Sequence, residues 1–480
     1  MKVTHLLGAA GLAGAVAVPA PAPDLDLDML NAIFAAPTPA TLGPEPDVYS
    51  STVASYNPTT ASAVVQETVT PDSTETSARK RDNPAAAKCA SNHWDCCPLP
   101  TGTLPIPSPD TADAFTALPT YASLANGAST PARYTKAFTN LQGSTQQAGY
   151  RGVYTLDSYD PSLCAAKCDA DNYCQGFNIY IERDPVIRPD YDVCKNPGAT
   201  ANIKCTIYGY PISSNTATNV GQYQGDFHVV IAASNGYNKP YTAPTLPNFN
   251  APVGPLAGAI EDSHYYLYEL YNDGPFDPAS CAKGCQANTA YNKAHPKADG
   301  TYTACNLFNA YILYRDDNPQ GTVCSYYSAD IPNPASKATN VGQYQGSVHV
   351  TVGNSYTYTL TKQDKGCSAP STCQNAGTCN TGWAIYNDQG YQAACGPDPQ
   401  GAKVCFQHGI CGPNCSSTSD CGCDEVCVAS TCCGRSVCLK KSSVCPNQAA
   451  QTRRALMAGK KLAMKPRDDS CTSLSCPNGQ

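Results

Sequence analysis

Charge is scarce in this chain: only 14% of its 480 residues are Asp, Glu, Lys or Arg. The formal net charge of −7 gives no attraction for a phosphate backbone, so a nucleic-acid partner is not expected. No stretch reaches the ~18 consecutive apolar residues that a bilayer-spanning helix requires. The final Cys476-Pro477-Asn478-Gly479-Gln480 lacks the hydrophobic tail of a lipid-anchor signal. The sequence therefore predicts neither a transmembrane nor a lipid anchor. Motifs of catalysis are missing too. Gly-x-Ser-x-Gly, His-Glu-x-x-His, Gly-x4-Gly-Lys-Ser/Thr and Gly-x-Gly-x-x-Gly are all absent, and the seven histidines are scattered. On those grounds the chain is read as non-catalytic and without a cofactor or metal.

Cysteine, proline and glycine are abundant instead, at 28, 40 and 36 residues. That many thiols belong in an oxidising compartment, and the Pro and Gly content favours short strands and turns over long helices. Residues 1–17 have the form of a secretory signal peptide. Lys2 and His5 open it, an apolar run covers Leu6 to Val18, and Ala15-Val16-Ala17 offers small-x-small cleavage after Ala17. A secreted protein, extracellular or in a cell wall, is expected.

Residues 18–81 contain no cysteine and are rich in Ala, Pro, Ser and Thr, a composition that predicts disorder. They end in Arg79-Lys80-Arg81, where a dibasic processing protease would cut after Lys80 and Arg81. The segment is read as a removable propeptide, the alternative being a retained glycosylated stalk. Residues 1–81 hold eight acidic and four basic residues, so their loss would bring −7 to −3. A Pro/Thr-rich segment with Cys89, Cys96 and Cys97 follows at 82–145.

Ala-Thr-Asn-Val-Gly-Gln-Tyr-Gln-Gly stands at 217–225 and again at 338–346. This duplication anchors two units, 146–237 and 261–357, joined by a linker at 238–260. Each opens on a helix signal, Asp160-Pro161 and Asp277-Pro278, with Asp as N-cap and Pro at the first helical position. Cys164 and Cys168, like Cys281 and Cys285, lie four apart on one helical face. Strand patterns follow at Cys174 to Ile181 and Cys305 to Ile312, then at Cys205 to Tyr208 and Cys324 to Tyr327. Closing strands are expected at 227–231 and 348–352. The expected fold is α+β: two small helix-on-antiparallel-sheet domains, then a disulfide-rich, loop-dominated region at 367–445 and a basic tail at 446–480.

The frame of Cys-x3-Cys on a helix, Cys-x-x-Phe on a strand, Cys on the next strand and a closing Gly-x-Tyr segment resembles the PAN/apple family. It is similar in its duplication to secreted cysteine-rich proteins of filamentous fungi. The resemblance implies a curved antiparallel sheet cradling one helix. It also implies the bridges Cys164–Cys205 and Cys168–Cys174 in the first unit, and Cys281–Cys324 and Cys285–Cys305 in the second. The chain departs from that family in lacking cysteines to join the ends of each domain, and in an insertion from Asn288 to Thr303. It also has an additional Cys194. With Cys89, Cys96 and Cys97 this makes an even set, so the N-terminal segment is expected to be stapled to the first unit. Pairing among Cys89, Cys96 and Cys97 alone is the alternative.

Fourteen of the cysteines fall in 367–445, a region too poor in apolar runs to hold itself without cross-links. Cys367-x5-Cys373-x-Asn375-x-Gly377-x-Cys379 resembles the opening of an EGF-like module, without the remainder. Cys421-x-Cys423-x3-Cys427-x4-Cys432-Cys433-x4-Cys438 resembles knottin-like frameworks. Disulfides are expected here rather than zinc ligation.

The acidic pairs Glu182/Asp184 and Asp316/Asp317 are read as solvated turn residues, unsuited to acid–base work. His228 and His349 occupy matching positions and are read as ordinary strand residues. The aromatic content is skewed, with 30 Tyr against 9 Phe and 2 Trp. Tyr223 and Tyr344, inside the repeated nonapeptide, are the candidate ligand contacts, because tyrosine offers flat contact area and a hydroxyl at low entropic cost. The expected function is recognition of an extracellular protein or polysaccharide. Alternatives are a precursor of a cysteine-rich inhibitor or effector peptide, and an enzyme with an unrecognised site.

Overall fold

The computed structural model describes residues 27–39, 41–45, 51–54, 56–58, 96–190, 192–297, 300–367, 385–386, 392–407, 411–429 and 433–441. The signal peptide, the basic cluster at 79–81, Cys89 and the tail lie outside these residues. The fold is α+β, with mostly antiparallel sheets, few helices and many disulfides.

The chain enters through helix α1 (Leu27–Ala35) and a two-residue strand β1 (Thr52–Val53). Short helices α2 (Ala112–Thr116) and α3 (Pro119–Gly127) precede strands β2 (Thr135–Leu141) and β3 (Tyr150–Leu156). Helix α4 (Pro161–Asp169) follows, then β4 (Gly176–Pro185), β5 (Ala199–Tyr208) and a small hairpin of β6 (Tyr223–Gln224) and β7 (Phe227–His228). Strand β8 (Ile231–Asn238) closes the unit. The first sheet runs β1-β3-β5-β4-β8-β2, all antiparallel.

The second unit holds β9 (Val253–Leu256), β10 (Tyr265–Tyr271), α5 (Pro278–Ala294), β11 (Leu307–Arg315), β12 (Asn318–Tyr327), a one-turn helix α6 (Pro334–Lys337), β13 (Gly342–Gln345) and β14 (Val348–Thr359). Its sheet runs β10-β12-β11-β14-β13, with β9 also on β14. The central order β10-β12-β11-β14 repeats β3-β5-β4-β8, so the sequence duplication is a duplication of topology.

Local chemistry explains the helices. Asp160 caps α4 by accepting from Ser162 N at 2.8 Å, and Asp277 caps α5 by accepting from Ala279 N at 3.0 Å. Each helix packs its buried cysteines onto its sheet. Cys164 is bonded to Cys205 and Cys168 to Cys174; Cys281 is bonded to Cys324 and Cys285 to Cys305. These are the pairs that the apple-like frame implies. On that side of the first sheet Phe177, Ile179, Ile181, Ile203 and Ile207 form the core with Cys164 and Cys168. Phe308, Ala310, Ile312 and Tyr326 do the same in the second. The insertion after Asn288 is partly helical, since α5 runs to Ala294 while α4 stops at Asp169.

The sequence reading set the unit boundaries too tightly. Segment 82–145 supplies α2, α3 and β2, and buries Phe115, Tyr121 and Tyr134 in the first core. Cys96 is bonded to Cys194, which staples this segment to the first unit. The linker 238–260 supplies β9. The closing strands run on to Asn238 and Thr359.

The expectation of disorder across 18–81 does not describe residues 27–39, 41–45, 51–54 and 56–58. Met29, Leu30 and Ile33 of α1 are buried on the outer face of the second sheet, and β1 extends the first. The Ala/Pro/Ser/Thr composition hides one short amphipathic helix whose apolar residues find a sheet face to cover.

The Cys-rich region forms two small sheets, β15 (Ile385–Tyr386), β16 (Gln392–Pro397) and β17 (Lys403–Gln407), then β18 (Glu425–Val428) and β19 (Val437–Lys440). Val404, Phe406, Val426, Val428, Val437 and Leu439 make a minor core between them. Bridges among its described residues include Cys367–Cys423, Cys411–Cys433, Cys415–Cys427 and Cys421–Cys438. Cys367 thus reaches 56 residues forward, away from the EGF-like opening it begins.

Candidate binding site

The repeated nonapeptide builds the same object twice. In the first unit Gln224 pairs with Phe227 across a two-residue loop, Gly225-Asp226. In the second, Gln345 pairs with Val348 across Gly346-Ser347. The first loop residue is glycine in both, at φ 62° and 61°. Positive φ at that position suits a tight hairpin of the II′ kind and strains any other residue. A second glycine fixes the hairpin base. Gly221 (φ 99°) lies so close to Val229 that an added Cβ would stand 2.0 Å from its carbonyl oxygen. Gly342 (φ 121°) repeats this against Val350 at 2.1 Å.

Within this frame Tyr223 lies directly across from His228, and Tyr344 across from His349. The rings stack nearly face to face: centroids 4.1 Å apart at 9° in the first hairpin, 4.4 Å apart at 16° in the second. The outer faces are free. Tyr223 is 68% and Tyr344 70% exposed, whereas twelve of the described tyrosines are buried. Val220 and Val341, from the same nonapeptide, are exposed beside them at 63% and 54%. Among the described residues, nine large apolar side chains are exposed, and these four are among them. A packing role would have buried them.

The platforms rest on rigid supports that differ between units. Arg183 donates from Nη1 to the carbonyl oxygen of His228 at 2.9 Å and lies over the Phe227 ring at 4.2 Å. Its Nη2 is paired with Asp110 at 2.7 Å, so a charge buried in the sheet is satisfied. In the second unit Asp316 takes this role. Its carboxylate accepts from His349 N at 2.8 Å, and its own N donates to His349 O at 2.8 Å. Asp316 also borders a shallow open pocket with Asn215, Arg315, Asn318 and Gln320, where the first unit meets the second. Asn215 there donates to Asp317 Oδ2 at 3.0 Å.

Set against family models, curated proteins and solved structures, the chain matches none.

Tyr223 and Tyr344 therefore stand where a ligand can reach them, each on its own hairpin. His228 and His349, read from the sequence as plain strand residues, are the backing plates of those tyrosines. A signal for this was present: a Gly-led two-residue loop places the residues at 223 and 228 opposite each other. The processing residues Ala17, Lys80 and Arg81 lie outside the described residues. The eight cysteines of the two helix frames are consumed in the four bridges given above.

Of the two acidic pairs, one takes a different form from the sequence reading and one takes the form expected. Glu182 and Asp184 are buried, not solvated. Both contact Lys204 Nζ, Asp184 at 3.3 Å, and Asn202 Nδ2 donates to Asp184 at 2.7 Å. Burial pushes the Glu182 carboxyl above the usual range, more than Lys204 pulls it down, and Asp184 adds to the rise. Burial opposes the charge on Lys204, but Asp184 and Glu182 outweigh it and hold the ammonium above its ordinary value. Strand alternation explains the error: 182 and 184 share one face of β4, and Lys204 rises beside them on β5. Asp316 and Asp317 are exposed turn residues at positive φ. Finally, the sulfurs of Cys415, Cys421 and Cys438 gather within 4.8 Å. All three are in disulfides, which removes the thiolates a metal would need.

Proposed function

We propose that the chain is a non-catalytic, extracellular binding protein, built on two apple-like domains, that recognises polysaccharide through the paired hairpins. The observation carrying this reading is the duplicated Tyr-on-His stack with its outer face exposed. An aromatic ring fixed in this way presents a flat apolar surface bounded by a hydroxyl. Such a surface suits the C–H face of a sugar ring, and its rigidity means little entropy is lost when the ligand docks. Two platforms on one chain also suit a repeating ligand, because the second contact becomes intramolecular once the first is made. The nine disulfides found among the described residues fit an oxidising compartment, and no helix among those residues is long and apolar enough to cross a membrane.

The test is co-sedimentation of the full chain with chitin, β-glucan and mannan particles. Binding to at least one is expected, with Tyr223→Ala and Tyr344→Ala each lowering affinity by about ten-fold, or ~1.4 kcal/mol. The double variant should release the protein into the supernatant. Absence of binding to all three polymers, or full binding by the double variant, would count decisively against the proposal.

A further inference from the structure

We propose that the outer face of the second sheet is a helix-docking groove filled by the chain's own α1, and that cutting after Arg81 leaves residues 18–81 as a separate polypeptide still seated there. The groove is formed by Tyr311 and Leu313 of β11, Val323 of β12 and Val350 of β14, with Ala259 beside them. Into it α1 sends Met29, Leu30 and Ile33, exposed by 3%, 0% and 4%. Phe34 lies at the edge, with the Arg315 guanidinium 4.9 Å from its ring centre. A nine-residue helix is too short to persist alone in water, so the groove is what makes α1 helical.

The groove belongs to the second repeat alone. Where it has Tyr311, Leu313 and Val323, the first repeat has Tyr180, Glu182 and Lys204 in the matching positions. The same face is ionic in one unit and apolar in the other, as expected if only one evolved to receive a helix.

Docking continues past α1. Gln147 N donates to Leu42 O at 2.9 Å, Thr155 N to Ser51 Oγ at 3.1 Å and Ala54 N to Arg151 O at 2.8 Å. Tyr56 then reaches the junction of the two units. Its hydroxyl donates to Asp277 Oδ2 at 2.8 Å, and its ring packs edge-on against Tyr173 at 4.9 Å. The segment is thus a strap touching the second sheet, the first sheet and the cap of α5. Several weak contacts on one tether reinforce one another. Because 18–81 has no cysteine, non-covalent contacts must hold it once the chain is cut. Departure would expose a continuous apolar face, which opposes release.

The experiment uses the full chain with Arg79-Lys80-Arg81 replaced by the recognition sequence of a site-specific protease. After cutting, denaturing mass spectrometry should give two pieces and native mass spectrometry one complex of both. Leu30→Asp with Ile33→Asp should lower the retained N-terminal piece at least ten-fold. Loss of the wild-type piece under native conditions, or equal retention by the double variant, would overturn the proposal. Should the double variant fail to fold, hydrogen exchange on the uncut parent chain decides. Slow exchange of the α1 amides is expected, and exchange at the rate of an unstructured peptide would refute the docked helix.

Discussion

The two bridges of each helix frame close loops of very different length, and this makes a comparison in which packing cancels. Cys168–Cys174 spans 6 residues, whereas its counterpart Cys285–Cys305 spans 20 because of the insertion that lengthens α5. All four cysteines are at most 2% exposed, so replacing each pair by alanine removes similar buried sulfur. What differs is the entropy that the cross-link withholds from the unfolded chain. Loop-closure reasoning gives about 2.4 kcal/mol for the short loop and about 3.3 kcal/mol for the longer one. The variant Cys285→Ala/Cys305→Ala should therefore lose ~1 kcal/mol more than Cys168→Ala/Cys174→Ala. Guanidinium unfolding of the two variants and the parent chain, analysed by linear extrapolation, measures the difference. An equal cost, or a larger cost for the short loop, would refute the view that these bridges act through the unfolded state. Cys164–Cys205 and Cys281–Cys324, at 41 and 43 residues, serve as the internal control. Their removal should cost the two units the same, about 4 kcal/mol each.

Three further predictions follow from the sites. Gly342→Ala puts a Cβ 2.1 Å from Val350 O at a φ of 121°, so the second hairpin should lose its register. Binding through Tyr344 should fall, and stability should drop by about 1–3 kcal/mol, read by thermal melting and co-sedimentation. Lys204→Met leaves Glu182 and Asp184 buried without their cation. It should destabilise the first unit by about 3–5 kcal/mol in the same guanidinium assay, and a neutral result would refute the buried ionic cluster. Asp316→Ala removes the acceptor for His349 N and should weaken binding at the second hairpin while leaving the Tyr223 hairpin unchanged. Comparing it in the Tyr223→Ala and Tyr344→Ala backgrounds separates these effects.

Much of this molecule is legible in its sequence because the informative features are local. Asp160-Pro161 and Asp277-Pro278 are complete capping signals within two residues. The exact duplication of nine residues fixes the alignment of the two sheets, and the resemblance of the cysteine frame to the PAN/apple family then implies the bridges. Features that depend on neighbours in space were harder to read. Glu182 and Asp184 look like turn residues until β5 brings Lys204 between them. The helix at Leu27–Ala35 carries Met29, Leu30 and Ile33 at helical spacing, but the surrounding composition masks one short pattern whose partner lies about 280 residues away. The exposure of Tyr223 and Tyr344 could not be read at all, since a tyrosine in a repeated segment serves a core as readily as a surface. Only the folded surface reveals it.

The central claim is that ligand meets the chain on the Tyr223/His228 and Tyr344/His349 stacks. Carbon-bound ring protons of His228 and His349 report on this directly, because each imidazole is stacked under the tyrosine that would be covered. Titrating the full chain with soluble oligosaccharides of the bound polymer should shift both histidine ring signals, saturating together with binding, while His264 and His295 stay fixed. Saturable binding that leaves His228 and His349 unmoved would place the ligand elsewhere and contradict the account.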